Sequence, residues 1–358
     1  MKKEWLIYGA YGYTGNLLAN EAVRAGHKPV LAGRSQEKLI SLSEKLDLDY
    51  RTFDLENEKT IIENIQDFDL IFLAAGPFKH TSAPIIQSCL KTGTNYLDIT
   101  GEVPVFEQNF KFDERAKEQG IVILSGVGFD VVPSDCMAKY VSEKIKNPTN
   151  LELGIGGMTE SSPGTLKTML EYRDTRALIR KNGQLVQEIP NNVLRKIRFT
   201  DKVRYVMPVM WGDLATAYRS TGIPNITTYM EIPKKFMSLT TPIKALKNNS
   251  IKNGVLNKAE YKKNIQKWID ENVKGPDENT RLKARSYVWA RARNDDGSEA
   301  QAWLNSIEPY QFTVISGIKC VEKVFKLNLK GTLTPSLAFG KDFVLEFPET
   351  KRYDSLNE

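Results

Sequence analysis

Three glycines, each separated from the next by two residues, follow the first apolar run of the chain. The segment from Gly9 to Gly15 reads GAYGYTG and stands between a predicted strand, Trp5 to Tyr8, and a predicted helix. In a dinucleotide-binding βαβ unit the first glycine permits the tight turn, the second lets the backbone approach a pyrophosphate, and the third lets the helix pack close to the strand. The N–H groups of the first helical turn then face the phosphates; a glycine-rich turn without a ligand is the alternative. The predicted contacts of this turn are Gly9, Tyr11, Gly12, Tyr13, Thr14 and Gly15.

The end of the second predicted strand indicates which dinucleotide is bound. NAD sites usually place a carboxylate about 20 residues beyond the glycines, on the ribose hydroxyls. Here the stretch reads Ala32-Gly33-Arg34-Ser35 and contains no carboxylate. Arg34 can pair with a 2′-phosphate and stack on adenine, Ser35 can donate a hydrogen bond, and Lys38 adds positive charge one helical turn further on. The sequence therefore predicts NADP, with a surface arginine that has no ligand as the alternative.

Loops after the later strands complete the predicted cofactor site. Asp54 follows the third predicted strand, where it can bond the adenine amino group. The turn Ala75-Gly76-Pro77-Phe78 follows the fourth strand, where the backbone would pass the nicotinamide-side ribose. Because ligands of open α/β sheets bind beyond the carboxyl ends of the strands, Gly128 and Phe129, after the last strand of this unit, are predicted to border the nicotinamide.

Carboxylates and an aromatic hydroxyl in the same region are candidates for proton transfer. Hydride transfer needs little from a protein beyond orientation and a proton donor. The predicted catalytic residues are Asp130, Glu102 and Tyr172, and for the two carboxylates a purely loop-tethering role is the open alternative. Four further residues are predicted to line a substrate cleft between domains, with domain packing or dimerisation as the alternative. They are Arg173, Trp211, Asp213 and Arg219.

The elements that must position these residues change in character near residue 130. Up to that point short apolar runs alternate with helical patterns, which is typical of a doubly wound parallel sheet covered on both faces. Beyond it, a predicted helix over Thr165 to Lys181 and a hairpin of Ala284 to Arg293 with Ser298 to Leu304 indicate an α+β domain on a mixed or antiparallel sheet. We therefore predict a Rossmann domain over 1–130 and an α+β substrate or dimerisation domain over 131–333.

The composition argues against several other classes of function. Of the 358 residues, 41% are hydrophobic and 26% are charged, as in an ordinary globular protein of two domains. No apolar run approaches the roughly 20 residues that span a bilayer, so a cytoplasmic protein is expected. Three widely separated cysteines and two histidines offer no disulfide framework and no metal spacing, so no metal site is predicted.

Charge is concentrated in one part of the chain. The segment from Lys234 to Arg285 has a larger excess of basic residues than the net +6 of the whole chain. A solvated helical insertion is one interpretation, and contact with an acidic partner or an anionic membrane surface is another. Basic and aromatic residues also alternate from Arg281 to Arg293 on a predicted strand, but no nucleic-acid motif accompanies them, and a nucleic-acid partner is not expected.

Eight segments spread from Gly9 to Phe343 resemble the saccharopine dehydrogenase-like oxidoreductases, including the trans-acting enoyl reductases of that group. They read GAYGYTG, LAGRSQEKL, AAGPF, CLKTGTNYLDITGE, GVGFDVVPSD, SPGT, WGDLATAYRSTGIPN and TPSLAFGKDF. The resemblance implies an N-terminal NADP domain, a C-terminal domain on a mixed or antiparallel sheet, and a last segment, 334–358, that returns to the first domain. The reaction it implies is hydride transfer to or from a C=N or C=C bond.

These observations lead to one hypothesis and one alternative. The hypothesis is an NADP-dependent reductase of this group, assembled as a homodimer, with a small-molecule or acyl substrate held between two domains. The alternative is a non-catalytic NADP-binding scaffold or regulatory protein that docks on a lipid surface or an acidic carrier through the lysine-rich segment. NADPH turnover with a panel of imines and enoyl thioesters distinguishes the two.

Overall fold

The computed structural model describes residues 4–158, 160–172, 178–188, 194–232 and 258–356. A first sheet of seven parallel strands is built mainly from the first third of the chain. Its strands are β1 (Trp5–Tyr8), β2 (Val30–Gly33), β3 (Tyr50–Thr52), β4 (Leu70–Leu73), β5 (Asn95–Asp98), β6 (Val122–Leu124) and β15 (Gly331–Leu333). Their order across the sheet is β15-β6-β5-β4-β1-β2-β3, which is the strand order of a Rossmann fold with one strand added beside β6.

Helices connect these strands and cover both faces of the sheet. They are α1 (Tyr13–Arg24), α2 (Gln36–Leu46), α3 (Glu58–Ile65), α4 (Phe78–Thr92), α5 (Val103–Asn109) and α6 (Asp113–Gln119). Successive strand residues point to opposite faces, so Leu6 and Ile71 pack with α3 and α4, whereas Ile7 and Phe72 pack with α1 and α2. Both faces are therefore apolar and buried, and the predicted doubly wound parallel sheet is confirmed.

The second sheet is mixed and comes from the middle and the end of the chain. Its strands are β7 (Asn150–Gly156), β8 (Leu178–Lys181), β9 (Gln184–Gln187), β10 (Arg195–Arg198), β11 (Val203–Pro208), β12 (Asn225–Glu231), β13 (Arg285–Arg293), β14 (Glu299–Ile307) and β16 (Lys351–Tyr353). The main order is β10-β11-β12-β7-β13-β14-β16, and β8 pairs with β12 and β9. β7 and β12 run parallel, while β13 and β14 form the predicted antiparallel hairpin.

Seven further helices accompany the second half of the described chain. They are α7 (Val132–Ser142), α8 (Pro163–Tyr172), α9 (Asp213–Thr221), α10 (Lys258–Asn272), α11 (Glu278–Lys283), α12 (Pro309–Lys326) and α13 (Pro335–Phe339). In the described ranges no helix combines the length and the apolar character needed to cross a bilayer. Of the lysine-rich segment, residues 233–257 lie outside the described residues, and α10 and α11 follow them.

The helix predicted over Thr165 to Lys181 is wrong at its C-terminal end. Helix α8 ends at Tyr172, and residues 178–181 form the strand β8. Asn182 and Gly183 have φ angles of 49° and 77° and connect β8 to β9. An Asn-Gly pair with positive φ at both positions is the typical two-residue hairpin turn, and this turn chemistry outweighs the helical pattern that precedes it.

The chain returns to the first sheet well before its end. A methyl group added at Gly317 of α12 would lie 3.1 Å from the Leu18 side chain of α1 and 3.1 Å from the Phe72 ring of β4, so α12 covers this face. β15 then pairs in parallel with β6. Within the segment 334–358, β16 lies instead on the second sheet, beside β14. The first sheet and its helical cover are therefore completed by β15 and α12, which follow every strand of the second sheet except β16.

Gly15 permits the closest backbone contact of the first sheet, and its substitution tests this packing. A Cβ atom there would lie 2.1 Å from the Gly9 carbonyl oxygen. We expect Gly15→Ala to lower the free energy of unfolding by about 1–3 kcal/mol, because the helix must move away from the turn. Chemical denaturation of the purified protein measures this change.

Gly164→Ala is the matched control for this substitution. Gly164 lies in α8, and the nearest atom to an added Cβ is the Ser162 hydroxyl oxygen at 3.7 Å. A Gly-to-Ala change in an unobstructed helix is expected to be neutral or stabilising by about 0.5–1 kcal/mol. Equal unfolding free energies for the two variants would contradict the packing role of Gly15.

Candidate functional site

The turn between β1 and α1 has the geometry of a diphosphate cradle. Gly9 has a φ of +86°, and its N–H donates to the Ala32 carbonyl at 2.8 Å. Gly12 is the N-cap of α1; among the described residues no side chain caps this helix, and its first turn contains no acidic residue. Unpaired N–H groups and the positive end of the helix dipole therefore face outward, which favours binding of an anion.

Two neighbouring contacts shape this cradle. A Cβ atom at Gly12 would meet only the Gly9 carbonyl oxygen, at 3.2 Å, so its other side is open. A Cβ atom at Gly9 would lie 2.8 Å from the Ala75 Cβ atom. The end of β4, with the turn through Gly76 and the cis peptide to Pro77, therefore borders the glycine turn directly. The structure thus brings these predicted cofactor residues together.

The predicted adenosine-side residues also come together, at the ends of β2 and β3. Arg34 and Lys38 are exposed, and the Tyr11 ring lies against Gly33. The Tyr8 hydroxyl donates to the Phe53 carbonyl at 3.1 Å. Burial raises the pKa of Tyr8, and the Arg34 charge opposes that increase. Arg34 is therefore close to the carboxyl end of β1, as a 2′-phosphate contact requires.

Asp54 and the loop after β6 make contacts that were not predicted from the sequence. The Asp54 carboxylate accepts the Glu56 N–H at 3.0 Å within its own turn. A Cβ atom at Gly128 would lie 2.8 Å from the Thr313 methyl group, and the Phe129 N–H donates to the Thr313 hydroxyl at 3.0 Å. The space at Gly128 therefore serves contact with α12. The buried Phe129 ring packs against the same helix.

Asp130 has the surroundings expected of a proton donor. A Cβ atom at Gly101 would lie 2.9 Å from the Asp130 carboxylate, so the loops after β5 and β6 meet here. Asp130 remains partly accessible to solvent. Burial raises its pKa to about 6, because the low-dielectric surroundings disfavour the charged form. This carboxyl group can therefore hold a proton close to neutral pH.

Glu102 lies on the neighbouring loop, but within the described residues its carboxylate, unlike the Asp130 carboxylate, accepts several hydrogen bonds. Its carboxylate accepts the Phe78 N–H at 2.7 Å, the Lys79 N–H at 3.1 Å and the Tyr172 hydroxyl at 2.9 Å, and the residue is 2% exposed. It thereby caps the N-terminus of α4, where Pro77 supplies no side-chain cap. This geometry favours the loop-tethering alternative. Burial and the nearby Glu102 carboxylate raise the pKa of the Tyr172 hydroxyl.

The four predicted substrate residues do not form one group. Asp213 is fully buried, and burial raises its pKa well above the usual value. The Arg219 guanidinium binds the Asp113 carboxylate of α6 at 2.5 Å, and Trp211 is partly buried against the core. Arg219 is thus occupied in packing α9 against α6, which favours the structural alternative for that residue, whereas one carboxylate oxygen of Asp213 is buried without a hydrogen-bond partner among the described residues. Arg173 lies outside the described residues.

Residues from the second half of the chain reach the glycine turn, and no local pattern in the sequence predicts these contacts. The Tyr13 hydroxyl donates to the Pro276 carbonyl at 2.6 Å and accepts from the Arg281 guanidinium at 3.1 Å. The Tyr310 ring meets the Tyr13 ring edge-on at 5.0 Å, and its hydroxyl accepts the Ser162 N–H at 2.6 Å. Arg281 lies on α11 and not on the predicted strand.

The fold and the cradle define a dinucleotide-binding protein, and comparison with known proteins shows what its first domain is similar to. Residues 5–124 match the family model described as the saccharopine dehydrogenase NADP binding domain. The first third of the chain is therefore an NADP-binding domain similar to that of the saccharopine dehydrogenases, and its cofactor is NADP. The predicted resemblance and the predicted cofactor are confirmed.

Individual relatives agree with this assignment. The chain is 29% identical over 160 residues to a saccharopine dehydrogenase-like oxidoreductase of Bos taurus, which covers 39% of this chain and 37% of the relative. It is also 29% identical over 190 residues to a Mycobacterium tuberculosis protein named provisionally as a trans-acting enoyl reductase, covering 48% of this chain and 44% of that protein. The chain thus spans less than half the length of these relatives.

One solved structure shares the whole fold. It is the apo saccharopine dehydrogenase (L-Glu forming) of Saccharomyces cerevisiae, with a TM-score of 0.66 over 98% of this chain and 100% of that chain. The sequence identity is 12%, so the likeness concerns the fold. Both sheets are included in the match, which confirms the α/β class with a second domain on a mixed sheet.

Arg34 provides a test of cofactor selection. We expect Arg34→Ala to weaken NADPH binding by about tenfold or more, because a charge-assisted pair with the 2′-phosphate is lost. NADH binding should weaken less, since NADH carries a hydroxyl group in place of the 2′-phosphate. Fluorescence titration of both nucleotides measures the two dissociation constants. Arg24→Ala, at the exposed end of α1, is the control, and equal losses for both nucleotides would contradict the assignment.

The pH dependence of stability tests the raised pKa of Asp130. Its pKa of about 6 exceeds the value of about 4 expected in an unfolded chain, so the folded protein holds this proton more tightly. Raising the pH through that range therefore removes stability from the wild type. We expect the melting temperature of Asp130→Asn, relative to the wild type, to be higher at about pH 8 than at about pH 5.

The control for this measurement is Asp47→Asn. The Asp47 side chain is fully exposed, and its left-handed backbone, with a φ of 53°, is one that asparagine adopts readily. A melting-temperature difference for Asp130→Asn that does not change with pH would show that burial does not perturb this carboxyl group.

Proposed function

We propose that this chain is an NADP-dependent reductase that transfers a hydride to a C=N or C=C bond of a small or acyl substrate. The observation that carries the proposal is the position of Asp130 on the loop after β6, at the carboxyl edge of an NADP-binding sheet, with its pKa raised to about 6. Ligands of such sheets bind at this edge. A carboxyl group whose pKa is raised toward neutral pH can exchange a proton under those conditions and can serve as a general acid there.

Different residues of the chain would bind the cofactor, donate the proton and position the loop beside the nicotinamide. The N–H groups of the first turn of α1 would hold the diphosphate of NADP, and Arg34 would hold its 2′-phosphate. When bound as NADPH, the cofactor supplies the hydride. Asp130 would donate the proton to the substrate atom that gains negative charge. Glu102, through its hydrogen bonds to Phe78 and Tyr172, would fix the loop beside the nicotinamide.

Second-domain residues would close the site. Helix α8 carries Tyr172, and Glu171 of the same helix forms an ion pair with Lys79 at the start of α4. The loop that contains Pro276 covers Tyr13 at the glycine turn. These contacts support a site in which second-domain residues would lie over the nicotinamide at this edge of the sheet. Exclusion of water from this space would protect the hydride and strengthen the electrostatic action of Asp130.

Turnover with defined substrates tests the proposal. Purified protein and NADPH are mixed with a panel of imines and enoyl thioesters, and the near-ultraviolet absorbance of NADPH is followed. We expect oxidation of NADPH with at least one of these classes. Asp130→Asn should lower kcat by about 100-fold or more, the usual contribution of a general acid, and leave the Kd for NADPH unchanged.

Two results would count against this assignment. NADPH binding without turnover on any substrate would favour a non-catalytic binding protein. Full activity of Asp130→Asn would move the proton donor to another group, and Tyr172→Phe is then the next variant, because the Tyr172 hydroxyl contacts Glu102 on the neighbouring loop. Asp47→Asn, which alters an exposed carboxylate far along α2, should keep wild-type kcat in either case.

A further inference from the structure

Tyr11 occupies an unusual place in the glycine turn. Its side chain crosses from the β1–α1 turn to the end of β2, where its hydroxyl oxygen accepts the Arg34 N–H at 3.2 Å and the Ser35 N–H at 3.3 Å. These two N–H groups lie directly before α2, so the hydroxyl sits at the N-terminus of that helix. The ring therefore links the diphosphate cradle to the site predicted for the 2′-phosphate.

The Tyr11 ring explains why residue 33 is a glycine. A Cβ atom at Gly33 would lie 2.6 Å from the Tyr11 Cε1 atom and 3.2 Å from its Cζ atom. Gly33 does not have a positive φ, so backbone conformation does not require glycine here. The sequence thus combines Tyr11 with the one residue that leaves room for its ring.

The Tyr11 hydroxyl retains a hydrogen-bond donor. A tyrosine hydroxyl has one O–H donor and two acceptor positions, and both acceptor positions are taken by the N–H groups of Arg34 and Ser35. Within the described residues the O–H itself has no acceptor. Two N–H donors to the same oxygen polarise the O–H bond and strengthen it as a donor.

Positive charge surrounds this donor. The Lys38 ammonium lies 5.7 Å from the centroid of the Tyr11 ring, within the range of a cation–π contact. Arg34, whose N–H binds the Tyr11 oxygen, carries its guanidinium on an exposed side chain. One polarised O–H and two cations thus converge at the end of β2, a combination suited to a phosphate monoester.

We propose that Tyr11 is a specificity-determining residue that recognises the 2′-phosphate of the cofactor through its hydroxyl group. This inference rests on the proposed binding of NADP at the β1–α1 and β2–α2 turns, and it adds a residue outside the predicted Arg34, Ser35 and Lys38 set. The hydroxyl donates to a phosphate oxygen and at the same time fixes the Arg34–Ser35 backbone. A nucleotide without the 2′-phosphate gains no affinity from either contact.

The test compares adenosine nucleotides that differ by one phosphate. Isothermal titration of the full chain with 2′,5′-ADP and with 5′-ADP gives both dissociation constants without any catalytic step. We expect Tyr11→Phe to weaken 2′,5′-ADP binding by about tenfold or more, the usual effect of losing a hydrogen bond to a charged group, and to leave 5′-ADP binding unchanged. Tyr50→Phe, on the edge strand β3, is the matched control.

Each other outcome overturns the proposal in a recognisable way. Unchanged 2′,5′-ADP binding would show that the backbone N–H groups recognise the phosphate without the hydroxyl, and tighter binding would show that the hydroxyl competes with it. Equal losses for the two nucleotides would assign Tyr11 a purely structural role. If the wild type binds neither nucleotide, the proposed NADP-binding function fails. This outcome is distinct from failure of the Tyr11 proposal, because it appears without any substitution.

Discussion

The contact between Gly15 and the Gly9 carbonyl oxygen is the constraint on which the cofactor site depends. With no side chain at Gly15, the first turn of α1 rests on the preceding turn, since a Cβ atom would lie 2.1 Å from that oxygen. Gly9 in turn lies against Ala75, so the ends of β1 and β4 meet at one point. The N-terminus of α1 is thereby aimed across the carboxyl edge of the sheet, where its N–H groups can hold a diphosphate.

The second half of the chain is built onto this edge. Helix α12 covers α1 and β4 and presents Tyr310 to Tyr13, while Arg281 and the Pro276 carbonyl bind the Tyr13 hydroxyl. These contacts join the residue that begins α1 to three separate parts of the later chain. Tyr13 therefore lies between the diphosphate cradle and these later parts of the chain.

Local patterns were sufficient to predict six of the seven strands of the first sheet, but not β15 and not the contacts made across the chain. The strand at Asn95–Asp98, the glycine turn and the β13–β14 hairpin follow from apolar periodicity and turn residues, which act over short distances. The space required at Gly128 depends on Thr313, 185 residues later, and no local signal reports such a partner. The Asn182–Gly183 turn was readable in principle, since positive φ at both positions is a known hairpin signature.

The two carboxylates predicted at this edge illustrate why position alone does not assign a chemical role. Both follow strands of the same parallel sheet, and Gly101, the residue before Glu102, touches Asp130. The Glu102 oxygens are occupied by the Phe78 and Lys79 N–H groups and by the Tyr172 hydroxyl, so that carboxylate organises its neighbours. For Asp130, burial is the cause that raises the pKa to about 6. Neighbouring acids with such different surroundings can perform different tasks, and Asp130 is the one whose surroundings favour the protonated form.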